Sequence, residues 1–214
     1  MFPDSTLYKR TLPKSKLYEN SDLTTAQKQT FSRQVRSILW RNKIAPSTAN
    51  LAHGENVKEI QVFHLTLNVP DPDEKILRKI EQTIPYHLLF IMEFDGEFQL
   101  WLTPVSNSQT PFLRTSWREW DALPIRLEGM NMDEVYENFI HQLAVSEDPY
   151  WDTKCPIEEN LALQTQRKKL EKEIAALRKK IAAEPQFNRQ VEMNQKVKQL
   201  KNELESLREI KNQH

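Results

Sequence analysis

The apolar residues of this chain follow two rhythms. Up to about residue 146 they fall in short runs with the period of a strand or the stripe of a helix, and from Ile157 onward they form one seam of alternating threes and fours. The strongest local signal lies in residues 86–104. Residues 88–92 are an unbroken apolar run, as in a strand covered on both faces, and Asp95-Gly96 supplies the positive φ angles of a tight turn. After the turn Phe98, Leu100 and Leu102 alternate with Gln99, Trp101 and Thr103, which predicts a second strand with one wetter face. Together the two read as a β-hairpin.

Residues 58–69 predict another strand, with Ile60 and Val62 on one face and Phe63, Leu65 and Leu67 on the other, so both faces should be covered. Three helices are expected around these strands. The first opens at a capping box of Thr24 and Gln27, carries Phe31, Val35, Ile38 and Leu39 at helical spacing, and ends before Pro46. The second is capped by Asp71, begins with Pro72 and Glu74, and buries Ile76, Leu77, Ile80 and Ile84 before Pro85 stops it. The third is capped by Asn131 and Glu134 and turns Met132, Val135, Tyr136, Phe139, Ile140 and Leu143 inward. Short strands are expected at 112–117 and 124–127, after a polar loop at 106–110. The first twenty residues have no period, and Pro3 and Pro13 argue against a long helix. They read as an extended arm packed along the domain surface by Leu7, Tyr8, Leu12, Leu17 and Tyr18.

The seam of the tail is Leu163, Leu170, Ile174, Leu177 and Ile181, and after Pro185 it resumes as Met193, Val197, Leu200, Leu204 and Leu207. Each half would be about 40 Å long as a helix. Equal arms around a proline favour an antiparallel hairpin closing on itself, while a kinked helix pairing with a second copy is the alternative. The fold class is therefore α+β: a mixed or antiparallel sheet with packed helices over residues 1–146, a linker at 147–156, and a helical hairpin, an antiparallel coiled coil, over 157–214.

Composition bounds the rest. A chain of 214 residues with 38% hydrophobic and 28% charged content has a core to bury. Cys155 stands alone, no basic-then-apolar leader is present, and no apolar run approaches the ~20 residues of a membrane span, so a cytoplasmic protein is expected. The three glycines are too scattered to cradle a phosphate, and no cofactor is expected. The zero net charge is a cancellation. Residues 1–45 carry nine Lys/Arg against three Asp/Glu, residues 46–150 seven against seventeen, and residues 151–214 fourteen against ten. Basic ends flank an acidic middle.

Several segments resemble a known family. They are Leu12-Pro13-Lys14, Ile38-Leu39-Trp40 with Ala45-Pro46, Glu59-Ile60-Gln61-Val62-Phe63, Ile84-Pro85 before Leu88-Leu89-Phe90, Asp133-Glu134-Val135-Tyr136-Glu137-Asn138-Phe139, and Phe187-Asn188-Arg189-Gln190-Val191-Glu192. Together they resemble the bacterial domain-of-unknown-function family 4391 over nearly the whole chain. The resemblance implies a companion of helicase and DNA-methyltransferase genes in restriction-type or phage-defence loci, and it brings no catalytic residues.

Little chemistry is legible. His53, His64, His87, His141 and His214 form no zinc-like spacing, and Cys155 precedes Pro156 with no local base. Glu59, Glu93, Asp95 and Glu97 sit where a metal-dependent nuclease gathers strand carboxylates, but the lysine such a motif wants is replaced by Gln61 and Gln99. For nucleic acid, DNA or RNA, the candidates are Lys9, Arg10, Lys14 and Lys16 in the arm, beside Tyr8 and Tyr18, and Arg167, Lys168, Lys169, Lys172, Arg178, Lys179, Lys180 and Arg189 in the tail. Trp117, Trp120 and Trp151 are either core residues or anchors for a protein partner. The leading expectation is a non-catalytic accessory protein that holds a larger enzyme, of helicase or methyltransferase type by the resemblance. A nucleic-acid-binding module and a divalent-metal nuclease are the alternatives, and a homodimer through the tail stays open.

Overall fold

A computed structural model describes residues 2–19, 21–105 and 110–209. The expected polar loop at 106–110, His214 and the last residues of the tail therefore lie largely outside the described residues. The chain divides into two units, Met1–Glu147 and Asp148–His214.

In chain order the first unit comprises β1 (Leu7–Thr11), α1 (Lys14–Glu19), α2 (Thr25–Gln34), β2 (Val35–Ile44), α3 (Pro46–Ala49), β3 (Ile60–Leu67), α4 (Glu74–Gln82), β4 (His87–Phe94), β5 (Glu97–Leu102), β6 (Leu113–Arg114) and α5 (Met132–Glu147). The six strands lie side by side in sequence order. All neighbours are antiparallel except β3 and β4, which α4 joins as parallel strands. The hairpin forms as its sequence demands, with Asp95 at φ 51° and Gly96 at φ 83° between β4 and β5. One sheet face packs Phe63, Leu65, Phe90, Met92 and Trp101 against Phe31 of α2 and Ile76, Leu77 and Ile80 of α4. The other carries the buried Ile60, Val62, Leu89, Ile91, Leu100 and Leu102. On that side Tyr136 of α5 meets His87 edge to face with ring centroids 4.4 Å apart, and Val135, Phe139, Ile140 and Leu143 are buried with it. Each such side chain contributes roughly 1.5–3 kcal/mol.

Five expectations are corrected. The Thr24–Gln27 capping box forms, but its helix stops at Gln34 and Val35 to Ile44 is a strand. Register shifts between Val35 and Ser37 and between Trp40 and Asn42 add residues to β2, so its inward positions fall at spacings that imitate a helix. The arm is not a surface strap throughout: residues 7–11 join the sheet as its edge strand, with Lys9 at φ 50° in a bulge, and residues 14–19 are helical. Asp73, not Asp71, caps α4, its side chain accepting from Lys75 N at 2.9 Å. Among the described residues beyond the hairpin only Leu113–Arg114 pairs as a strand, and 124–127 does not, although Ile125 is buried. Finally the wetter face expected of β5 is dry beyond Glu97, because Gln99, Trp101 and Thr103 are all buried and the Gln99 Oε1 accepts from Trp101 Nε1 at 2.6 Å.

The entry to β3 is fixed by one carboxylate. Asp133, in the first turn of α5, accepts from the backbone N–H of Glu55 and Val57, each at 2.6 Å, and of Asn56 at 3.1 Å. Gly54 permits this approach, since a Cβ there would stand 2.6 Å from Asp133 Oδ1. Burial alone would raise the Asp133 pKa, but these N–H groups and nearby Lys58 overcome it and hold the carboxyl below its ordinary value. A depressed carboxyl adds stability above its unfolded pKa of about 3.9 and loses it as pH falls through the folded value. Asp133→Ala is expected to cost about 1–3 kcal/mol at pH 7 and to flatten the acid side of the stability profile. Urea unfolding between pH 7 and pH 3 checks both, and an unchanged profile would remove Asp133 from this role.

Candidate interaction surface

The second unit is a helical hairpin of α6 (Ile157–Ala183) and α7 (Phe187–Glu209). Pro185 cannot continue α6, and it biases Glu184 toward the extended backbone that residue adopts, φ −84° and ψ 118°. The Glu184 carboxylate then accepts from Gln186 N at 3.0 Å, while the side-chain amide of Gln190 donates to the Glu184 carbonyl at 2.6 Å. The two helices pack on each other: Leu170, Ile174, Val197 and Leu204 are buried together, with Leu177, Ile181, Leu200 and Leu207 around them. Ile174 and Leu200 thus share one cluster within one chain, as the hairpin reading requires.

The base of the hairpin is polar and buried. Arg167 occupies a seam position between Leu163 and Leu170, is 5% exposed, and donates to Asp148 Oδ2 at 2.6 Å. Gln164 donates to the same oxygen at 3.2 Å, and Tyr150 N donates to Asp148 Oδ1 at 2.9 Å. The Tyr150 ring takes the guanidinium groups of Arg167 and Arg208 at 5.5 and 5.1 Å. Asn160 clasps the segment before α6, accepting from Asp152 N at 2.9 Å and donating to the carbonyls of Asp152 and Cys155 at 2.7 and 3.1 Å. Arg167 is therefore withdrawn from the expected basic surface, because a cation on the seam must be buried with its counter-charge.

The other tail candidates are exposed: Lys168, Lys169, Lys172, Arg178, Lys179, Lys180 and Arg189. None of the seven makes an ion pair among the described residues; Lys168 donates only to the amide oxygen of Gln164. In the arm, Lys9 and Arg10 are exposed, Lys14 donates to the Ser32 carbonyl at 3.1 Å, and Lys16 pairs with Glu19 at 3.1 Å. The Arg10 guanidinium also lies 4.7 Å from the Tyr8 ring centroid, so three of the arm's four cations are used locally.

The strand carboxylates do not converge. Glu59 is buried beside Lys43 at 2.8 Å and Gln61 at 2.9 Å, at the start of β3. Glu93 lies near the far end of β4, on the opposite sheet face, 2.8 Å from His64 and accepting from Thr66 at 3.2 Å. Because His87 pairs with Ile60 and Glu93 with Thr66, the two carboxylates are about 20 Å apart along the sheet. Asp95 and Glu97 are exposed at the turn. Among the described residues no three His, Cys, Asp or Glu side chains gather to hold a cation. Burial lowers the His64 pKa against the opposing pull of Glu93, and burial likewise lowers that of His87. The Cys155 thiol is raised, first by desolvation and then by Asp152, which is the reverse of an activated nucleophile.

The tryptophans divide. Trp151 is buried, Trp117 is half-buried against Phe94, and Trp120 packs on Phe98 at 5.0 Å with the Arg41 guanidinium 4.5 Å from its ring. No helix among the described residues is long and apolar enough to cross a membrane. No curated protein and no solved structure matches the chain. A family model does match, over residues 1–204, and so spans the sheet unit and most of the hairpin: the chain belongs to the family described as Domain of unknown function (DUF4391).

Proposed function

We propose that this protein acts by binding, as a non-catalytic accessory to a larger bacterial DNA-processing enzyme of helicase or methyltransferase type, and that the α6–α7 hairpin is its principal contact surface. The observation that supports this reading is the hairpin's surplus charge. Its seam is satisfied within the chain, yet seven cations remain exposed and outside any ion pair among the described residues. A unit of 147 residues with its own two-sided core gains little folding stability from such an appendage. The kind of partner follows from the family resemblance alone.

Reversing Lys168, Lys169, Arg178, Lys179 and Lys180 to glutamate tests it in the full chain. These side chains lie outside both apolar clusters, so the unfolding midpoint of the sheet unit should not move. Capture of the native partner from host extract, and the biological activity of the locus, should be lost. A folded variant that captures the same partner and stays active would overturn the proposal.

A further inference from the structure

Charge on the hairpin is sorted in a way that an ordinary exposed coiled coil does not need. With Leu163, Arg167, Leu170, Ile174, Leu177 and Ile181 on the seam, the side of α6 turned away from α7 carries Lys168, Lys169, Lys172 and Lys179, with Ala175 and Ala176 between them. From residue 160 to 183 that side has no carboxylate. The acids of α6 are placed elsewhere: Glu158 and Glu159 in its first turn, Glu171 on Arg208 at 3.2 Å, and Glu173 on Lys196 at 3.1 Å. The outer side of α7 is the internal comparison. There Glu192 and Glu205 are exposed alongside Lys198, so the sorting belongs to α6. Helix stability does not explain it, since Lys168 and Lys172 are an i, i+4 pair of like charge, which is mildly unfavourable.

We propose that the outer side of α6 docks on the phosphate backbone of duplex DNA without regard to sequence, an inference that rests on the hairpin being the working surface. A face of one sign raises the local potential and complements a polyanion. Lysine ammonium groups act on phosphates as point charges, without the planar fork that arginine offers to a base edge or a carboxylate. The alanines leave room for close approach. This side has no aromatic ring on which an unpaired base would stack and no aromatic anchor of the kind that dominates protein interfaces. The exposed Phe187 and Val191 belong to α7. A duplex presents one negative charge per ~1.7 Å of axis, and the ~16 Å from Lys168 to Lys179 runs straight along a rod of such charge.

The test uses the full chain and a fluorescent 30-base-pair duplex of arbitrary sequence, titrated at several salt concentrations. Four neutralised phosphates predict a log–log salt slope of about −3 to −4, or a loss of affinity on the order of a hundredfold for a fourfold rise in salt. The triple variant K168E/K169E/K172E should lose binding by at least about tenfold, whereas K196E/K198E/K201E on α7, with the same change in net charge, should stay within about threefold of wild type. Far-UV circular dichroism and the unfolding midpoint check the fold, and K168Q/K169Q/K172Q replaces the reversal if that variant does not fold. Equal losses in the two triples, preference for the matching single strand, or absence of duplex binding would each overturn the proposal. If the α6 triple loses duplex binding while host activity persists, the DNA surface stands and the hairpin's role as working surface falls. If duplex binding survives in that triple, only the DNA surface falls.

Discussion

Arg167→Leu is expected to destabilise the hairpin by about 3–5 kcal/mol, because removing one partner of a buried ion pair leaves the other charge uncompensated. The pair is well enclosed: the Arg167 and Asp148 side chains are 6% and 10% exposed and 2.6 Å apart. Leucine suits the seam position, so lost packing is a small part of the cost. The charge of Asp148 is the larger part, and this makes the effect separable. Adding Asp148→Asn keeps an acceptor for Tyr150 N while removing the stranded negative charge, and should recover much of the loss. Guanidinium chloride unfolding followed at 222 nm reports this, since α6 and α7 together are the longest helices of the chain. A single variant as stable as wild type, or a double variant no better than the single, would mean that the pair does not hold the base of the hairpin. A buried charge on an otherwise apolar seam also restricts register. Sliding the arms by one heptad would strand Arg167 away from Asp148, whereas an all-leucine seam tolerates such a slip.

This base is also where the sequence was least legible. The 3,4 spacing of the seam showed the hairpin and its turn at Pro185 plainly, because leucine and isoleucine at those positions have one physical use. Arg167 filled the same register, but sequence adjacency to Lys168 and Lys169 grouped it with an exposed cluster. Only its heptad phase, one turn before Leu170, distinguished it from its neighbours. The sheet unit shows the same division. Residues 88–92, the Asp95-Gly96 turn and the α5 stripe were readable, since local pattern and burial agree there. β2 was not, because its bulges shifted the inward side chains onto a helical spacing and a real capping box stood just upstream. Gln99 and Thr103 read as wet residues because nothing local reveals that Thr115 and α4 will satisfy them. The candidate surface was legible as composition but not as placement. Sequence named the cations, and the structure separated Arg167, Lys14 and Lys16, which donate to Asp148, Ser32 and Glu19, from the lysines of α6, none of which makes an ion pair among the described residues.

Arg78→Ala should cost the sheet unit about 3–5 kcal/mol at neutral pH, and the loss should shrink in acid. Arg78 on α4 joins three parts of the fold. Its guanidinium donates to Glu81 at 2.7 Å, to the Thr103 hydroxyl, and to the Thr110 carbonyl at 2.6 Å, and it lies 3.9 Å from the Phe112 ring centroid. Thr103 Oγ1 in turn donates to Glu81, and the Thr103 carbonyl accepts from Tyr136 of α5 at 2.6 Å, so the network reaches elements on both faces of the sheet. Burial raises the Glu81 pKa, although Thr103 and Arg78 pull it back. A carboxyl raised above its unfolded value of about 4.3 contributes stability below that pH and loses it as pH rises through the folded value. Without Arg78 the folded value climbs further, so at pH 7 the variant holds either an unpaired buried carboxylate or a proton taken up at a cost. As pH falls Glu81 in the variant takes up its proton sooner than an ordinary carboxyl, and the difference from wild type narrows toward the lost packing and hydrogen bonds. Lysine at this position should not restore stability, because it cannot reach Glu81 and Thr110 together while stacking on Phe112. Urea unfolding of wild type, Arg78→Ala and Arg78→Lys at pH 7 and pH 4.5 measures each term. A loss of the same size at both pH values would assign the effect to contact with Phe112 and Thr110, and would remove the charge of Glu81 from the account.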